Sequence, residues 1–184
     1  MYNPAGVKTS SEFPVPEQMK AWVLGSPDEL SLREKPTPIP SRAEVLVRID
    51  AVAICATDLE IIHRGSPASI QGGLPFNKNF TPGHEYMGTV VKLGPAFDEY
   101  RVGDRITVEV HAGCGRCARC REGMYTSCLN YGGTAKGHRA NGFTTDGGFV
   151  QYAPYLVVPA KAGTQEPPHL ARPWIPACAG MTGE

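Results

Sequence analysis

The sequence predicts a mainly β fold, a compact β-barrel with short helices and a metal-binding loop. Three observations carry this. Short alternating or apolar runs recur between turns in a chain of 184 residues that holds 21 Gly and 17 Pro, the pattern of many short strands rather than long helices. One stretch, "TDLEIIHRG", has helical character. Four of the six cysteines crowd into "GCGRCARCREGMYTSC", Gly113 to Cys128.

The elements follow in order. Residues 1–18 are polar and Pro/Ser-rich and read as a disordered tail. "MKAWVLGSPDELSLREKP", from Met19, reads as two strands around the Ser26-Pro27-Asp28 turn. "EVLVRIDAVAI" (Glu44–Ile54) begins with alternation and ends apolar, as a strand entering a core does. The short helix is closed by Gly65. "EYMGTVVKLG" (Glu85–Gly94) and "RVGDRITVEV" (Arg101–Val110) are further strands, and "DGGFVQYAPYLVV" (Asp146–Val158) is the last strand region. From 159 to 184 the chain is rich in Pro and small residues with neither period. It echoes itself there, "VPAKAG" (Val158–Gly163) returning as "IPACAG" (Ile175–Gly180), and reads as an irregular tail.

Composition narrows the function classes. Net charge is zero, which argues against a nucleic-acid partner, although Arg116, Arg119 and Arg121 dot the cysteine loop; Glu122 sits beside them. No apolar run reaches membrane-span length, and the N-terminus has no apolar signal core, so no membrane partner is expected. Clustered cysteines two residues apart do not make a disulfide framework, so the compartment reads as reducing, and cytoplasmic.

The cysteines carry the most chemistry. Cys114, Cys117, Cys120 and Cys128 have the spacing Cys-x2-Cys-x2-Cys-x7-Cys. Thiolates are soft ligands, and zinc takes four of them tetrahedrally at about 2.3 Å. Binding of a structural zinc is worth on the order of 10 kcal/mol in small peptides, enough to fold such a loop. An iron–sulfur run would close with a three-residue gap and a Pro, where this one has seven residues and then Leu129. Unliganded buried thiols would not explain four within fifteen residues.

A second constellation lies upstream. "ICATDLEIIHRG" contains Cys55, Thr57, Asp58 and Glu60, and "TPGHEYMG" contains His84 and Glu85. Each has a plain reading of its own. Cys55 at a strand end fits a small core residue, and His84 after Pro82-Gly83 fits a turn histidine. Thr57-x-x-Glu60 fits a helix capping box.

Taken together and in this order, ahead of "VGDRI" and the cysteine loop, these motifs resemble the N-terminal catalytic domain of the zinc-dependent medium-chain alcohol dehydrogenases, nearest the polyol and threonine dehydrogenase branches. The resemblance runs from about Met19 to Val158. It implies a GroES-like β-barrel in 19–158, followed in the family by a nicotinamide-binding Rossmann domain. By this resemblance Cys55 and His84 match ligands of the catalytic zinc, and Glu85 matches the acidic residue beside that histidine. Asp58 matches the carboxylate that orients His84, and Thr57 the hydroxyl that takes the proton from the alcohol. Glu60 stands where the family often has a histidine at the solvent end of the proton relay. A carboxylate titrates about two pH units below an imidazole in model peptides, so the relay and the capping box are rival roles for Glu60.

The family also implies a small-molecule alcohol substrate, NAD(P) as hydride acceptor, and leaves homo-oligomerisation open. After Val158, however, no G-x-G-x-x-G follows a strand and opens a helix, and "GGTAKG" (Gly132–Gly137) has the wrong spacing. Cys178, in "PACAGM", lacks the setting of a further zinc ligand. The expectation is therefore a zinc-binding catalytic domain truncated before its Rossmann domain and inactive alone. The alternative is a non-enzymatic, zinc-stabilised β module.

Overall fold

A computed structural model describes residues 6–65, 79–156 and 175–176. Its centre is a sheet whose two long strands carry consecutive buried runs, 45–47 and 88–91, as strands covered on both faces do. Strand β4 (Glu44–Ala53) pairs antiparallel with β5 (Glu85–Leu93) on one side and with β9 (Tyr152–Leu156) on the other. Strand β6 (Arg105–Thr107) extends the sheet beyond β5. Val45, Val47, Val90, Leu93, Ile106, Ala153 and Tyr155 are buried between these strands and form the main core. Burying such a side chain is worth about 1.5–3 kcal/mol, so this patch accounts for the sheet's persistence.

The hairpin of β2 (Gln18–Leu24) and β3 (Leu30–Pro36) is the second sheet. Met19, Ala21 and Val23 point inward in alternation, as a half-buried strand requires. The turn closes with Glu29 N–H donating to Ser26 O at 3.0 Å and with Asp28 in the left-handed region, φ 67°, which Asp tolerates better than most residues. The hairpin is tied to the rest by Trp22 N–H to Phe149 O and Leu24 N–H to Phe80 O, both 2.8 Å. These bonds bring β3 close to the segments 79–84 and 146–149, which matter below.

Helix α1 (Ala56–Arg64) starts directly after β4 and ends where Gly65 N–H reaches Ile61 O at 2.9 Å. Ile61 packs with Leu24 and Phe80 in a second small core. The cysteine loop follows β7 (His111–Gly113), contains the one-turn helix α2 (Ala118–Arg121), and returns to β8 (Arg139–Ala140), which pairs with β7. No helix among the described residues is long and apolar enough to cross a membrane.

Several boundaries differ from the expectation. The tail 1–18 is ordered in part: β1 (Lys8–Thr9) pairs antiparallel with Lys92–Leu93 of β5, and the Arg48 guanidinium lies 5.9 Å from the Phe13 ring centre. The strand expected over Arg101–Val110 shrinks to β6, because Asp104 makes a turn by accepting Arg101 N–H at 2.8 Å. In the last strand region, 146–151 is loop apart from a single bridge of Val150 to Ala21, and among the described residues the strand is β9. Within 159–184 the described residues are a two-residue strand, β10 (Ile175–Pro176), parallel to β6; Cys178 and the rest of that segment lie outside the described residues.

Candidate metal centres

The cysteine loop draws four sulfurs together. The Sγ atoms of Cys114, Cys117, Cys120 and Cys128 all lie within 4.8 Å of one another. Cys114 and Cys120 are 4.0 Å apart, Cys117 and Cys128 3.9 Å. A tetrahedral ion with metal–sulfur bonds of about 2.3 Å has edges of about 3.8 Å, whereas a disulfide would bring two sulfurs to about 2.05 Å. All four are free thiols, and their spacing fits one ion and no disulfide.

Local backbone turns create this arrangement. Cys117 N–H approaches Cys114 Sγ at 3.4 Å, and Cys120 N–H approaches Cys117 Sγ at 3.4 Å as α2 begins. Asn130 offers its backbone N–H to Cys128 Sγ and its Nδ2 to Cys114 Sγ, both at 3.3 Å. Asn130 was not among the residues expected at the site; its one sequence signal is its place two residues after the last cysteine.

The thiols differ in acidity. Burial raises the Cys114 thiol, but the Arg116 backbone, the Asn130 side chain and the Cys117 backbone outweigh it and bring it down to about 6. The Cys120 N–H lowers Cys117. Burial raises Cys120, and raises Cys128 to about 12. One sulfur thus ionises easily and another resists, as expected where neighbouring thiolates repel and a cation would relieve them.

The second cluster is assembled from distant elements. Cys55 Sγ, a ring nitrogen of His84 and a carboxylate oxygen of Glu85 lie within 4.8 Å of one another. Cys55 is the N-cap of α1, and Asp58 at the third helical position accepts the Cys55 N–H at 2.9 Å. The other Asp58 oxygen lies 2.9 Å from His84 Nδ1. Asp58 is fully buried and His84 nearly so, so this carboxylate is anchored by the helix start and in turn fixes the imidazole. With Nδ1 donating to Asp58, Nε2 keeps a free lone pair toward Cys55 and toward Glu85, whose Oε1 is 3.7 Å away. The hydrogen bond that His84 donates to Asp58 raises the basicity of His84 despite burial, and the Thr57 N–H lowers the Cys55 thiol. Both changes suit a cation between them. Phe143, another residue sequence reasoning did not single out, packs tilted against His84 at 5.0 Å between ring centres.

Thr57 is half-buried in the first turn of α1, with Oγ1 3.7 Å from Cys55 Sγ. Glu60 is exposed one turn further along. The capping box expected from Thr57 and Glu60 is corrected: it is made by Cys55 and Asp58 instead, because the helix starts at Ala56 and places Thr57 inside it.

Two clusters thus lie on one small β domain, one of four sulfurs and one of three mixed donors, and each could hold a metal ion. The family model described as the alcohol dehydrogenase GroES-like domain matches residues 41–167, and the chain belongs to that family. The sorbitol dehydrogenase of Bacillus subtilis is 36% identical over 138 residues, covering 75% of this chain and 36% of the relative. The L-threonine 3-dehydrogenase of Xanthomonas oryzae pv. oryzae is 38% identical over 145 residues, 77% of this chain and 38% of the relative. Among solved structures, the acetophenone reductase of Geotrichum candidum in complex with NAD superposes with a TM-score of 0.63 at 32% identity, over 82% of this chain and 42% of its own. The chain thus spans well under half the length of the proteins it matches.

Proposed function

We propose that this chain is the zinc-binding catalytic part of an alcohol dehydrogenase-like oxidoreductase that oxidises an alcohol or polyol with hydride transfer to NAD(P). One observation carries the reading: a buried carboxylate, Asp58, bonds both the cap of α1 and the ring of His84, so that Cys55, His84 and Glu85 converge. Thiolate, imidazole and carboxylate together suit zinc, and three protein donors leave a position for substrate.

Zinc held there would supply Lewis-acid polarisation of an alcohol oxygen, lowering its pKa toward neutrality. The chain's own residues do the rest. Asp58 keeps the His84 proton on Nδ1. Thr57, beside Cys55, takes the alcohol proton through its hydroxyl. Glu60, exposed one turn along α1, passes that proton to solvent. The four cysteines of the loop form a separate, saturated zinc site that holds the shape of the lobe. The unit is 19–158, flanked by the segments 1–18 and 159–184, in a reducing, cytoplasmic setting with a small-molecule substrate and without nucleic acid. The NAD(P) reading leans on the NAD complex of the acetophenone reductase.

Metal analysis of the purified chain tests this. Two zinc equivalents per chain, falling to one in Cys55→Ala, support the reading. A single equivalent unchanged by Cys55→Ala refutes the second centre and leaves a zinc-stabilised β module. Titration with NAD then tests whether this chain binds the nucleotide unaided.

A further inference from the structure

His84 follows Thr81, Pro82 and Gly83 in a coil, where no strand ladder fixes its position. A loop from another part of the chain performs that role. Gly147 N–H donates to Thr81 O at 2.7 Å, Phe149 N–H to Pro82 O at 3.0 Å, and Gly148 N–H to Gly83 O at 2.7 Å. The contact has no slack. Gly83 has φ +97°, and a Cβ on it would lie 2.6 Å from Phe149 Cδ1; a Cβ on Gly147 would lie 1.9 Å from Gly83 O. A shift of this loop therefore moves the carbonyl immediately before His84.

Two charged residues pin the loop. Asp146 Oδ1 accepts the N–H of fully buried Thr81 at 2.9 Å, and Asp146 Oδ2 pairs with Lys35 Nζ. Lys35, on β3, also donates to Asn79 O at 2.9 Å. Its side chain is only 12% exposed, against 40% for Asp146, so the ammonium is seated between the carboxylate and the Asn79 carbonyl. One ammonium thus ties the hairpin to both strands of the contact, 79–84 and 146–149. Neither residue belongs to either metal cluster.

We propose that Lys35 and Asp146 are positioning residues for His84: they hold the 81–84 coil in the place where the imidazole meets Asp58 on one side and Cys55 and Glu85 on the other. The inference rests on the reading of His84 as a metal ligand. Ligand sites tolerate misplacement of about 0.5 Å, and loss of an outer partner typically costs 10–100-fold in metal affinity, by order of magnitude.

The test uses the full chain with Lys35→Met, Asp146→Asn and the conservative Lys35→Arg, cobalt(II) as probe, and backbone hydrogen exchange as a metal-free measure. Both centres hold thiolate and give a charge-transfer band on cobalt, from four sulfurs in the lobe and from Cys55 alone at the other centre, so Cys55→Ala identifies the second centre's share of the signal. Lys35→Met and Asp146→Asn are expected to weaken cobalt at the Cys55–His84–Glu85 centre about ten-fold or more, with the lobe unchanged. Exchange at Thr81, Gly147, Gly148 and Phe149 should quicken about ten-fold while Val47 and Val90 stay protected. Lys35→Arg should restore both. Unchanged cobalt affinity overturns the proposal, even with faster local exchange. So does parallel weakening of both cobalt sites with exchange rising everywhere, which marks a general loss of stability. A wild-type chain that takes up one cobalt refutes the second centre itself; exchange alone then decides whether the pair holds the coil.

Discussion

Replacing Asp58 with Ala removes the joint on which the open centre turns. The side chain is fully buried and accepts two hydrogen bonds, from Cys55 N–H and from His84 Nδ1, each at 2.9 Å. Loss of the first removes a helix cap, about 1 kcal/mol. Loss of the second removes a charge-assisted bond, about 1.5–3 kcal/mol. Asp58→Ala should therefore destabilise the metal-free chain by about 2.5–4 kcal/mol, a large share of the roughly 5–15 kcal/mol typical of a domain. Asp58→Asn keeps the volume and one acceptor, and should lose roughly the charge-assisted part alone, about 1.5–3 kcal/mol. Urea unfolding after chelation measures both. The difference from wild type has a sign in pH. His84 is raised above its ordinary value, chiefly by the Asp58 bond, so its contribution is complete below about pH 6.5 and is lost as pH rises through the raised value. A destabilisation under about 0.5 kcal/mol, inside the range of ordinary surface changes, or one that widens toward alkaline pH, would refute the joint.

Zinc uptake by the four-sulfur lobe should release about two to three protons per ion at pH 7, from Cys120 and Cys128, whose thiols burial holds protonated, and in part from Cys117, with little from Cys114, already down to about 6. Calorimetry in two buffers of different ionisation enthalpy counts them, and affinity should rise with pH because each ligand must be a thiolate. Gly83→Ala puts a Cβ 2.6 Å from Phe149 Cδ1 at φ +97°. The backbone strain alone is about 1–3 kcal/mol, visible as a lower Tm, and the centre at His84 should weaken while the lobe keeps its zinc.

The lobe was legible because it is local. Its four sulfurs lie within fifteen residues, so spacing alone predicts convergence. The open centre was legible only in part. Cys55, Asp58, His84 and Glu85 could be named by resemblance, but not their mutual geometry, since Asp58 and His84 meet across 26 residues. The cap was misplaced by two residues because cysteine is not a usual N-cap, so the familiar Thr-x-x-Glu pattern drew the boundary into the helix. Pairing of Lys8–Thr9 with β5 was hidden by the polar composition of the first eighteen residues; a two-residue strand has no period to detect. Lys35 and Asp146 lie 111 residues apart and obey no local pattern, so only the fold reveals that they meet.

The two centres therefore depend on the fold to different degrees. The lobe's sulfurs are shaped by their own backbone amides and by Asn130, all between Cys114 and Asn130. Metal binding can supply much of that loop's order, as it does in small zinc domains. The open centre draws on the end of β4, the cap of α1, the coil before β5 and the loop before β9, and it closes only when all four are in place. Its affinity for metal is thus coupled to the packing of the whole domain. On the proposed role of the 146–149 loop, a local opening there would free His84, while the bonds that shape the lobe's sulfurs lie within 114–130. Partial unfolding should consequently empty the chemically open centre first and leave the saturated one loaded, an order set by sequence separation rather than by ligand strength.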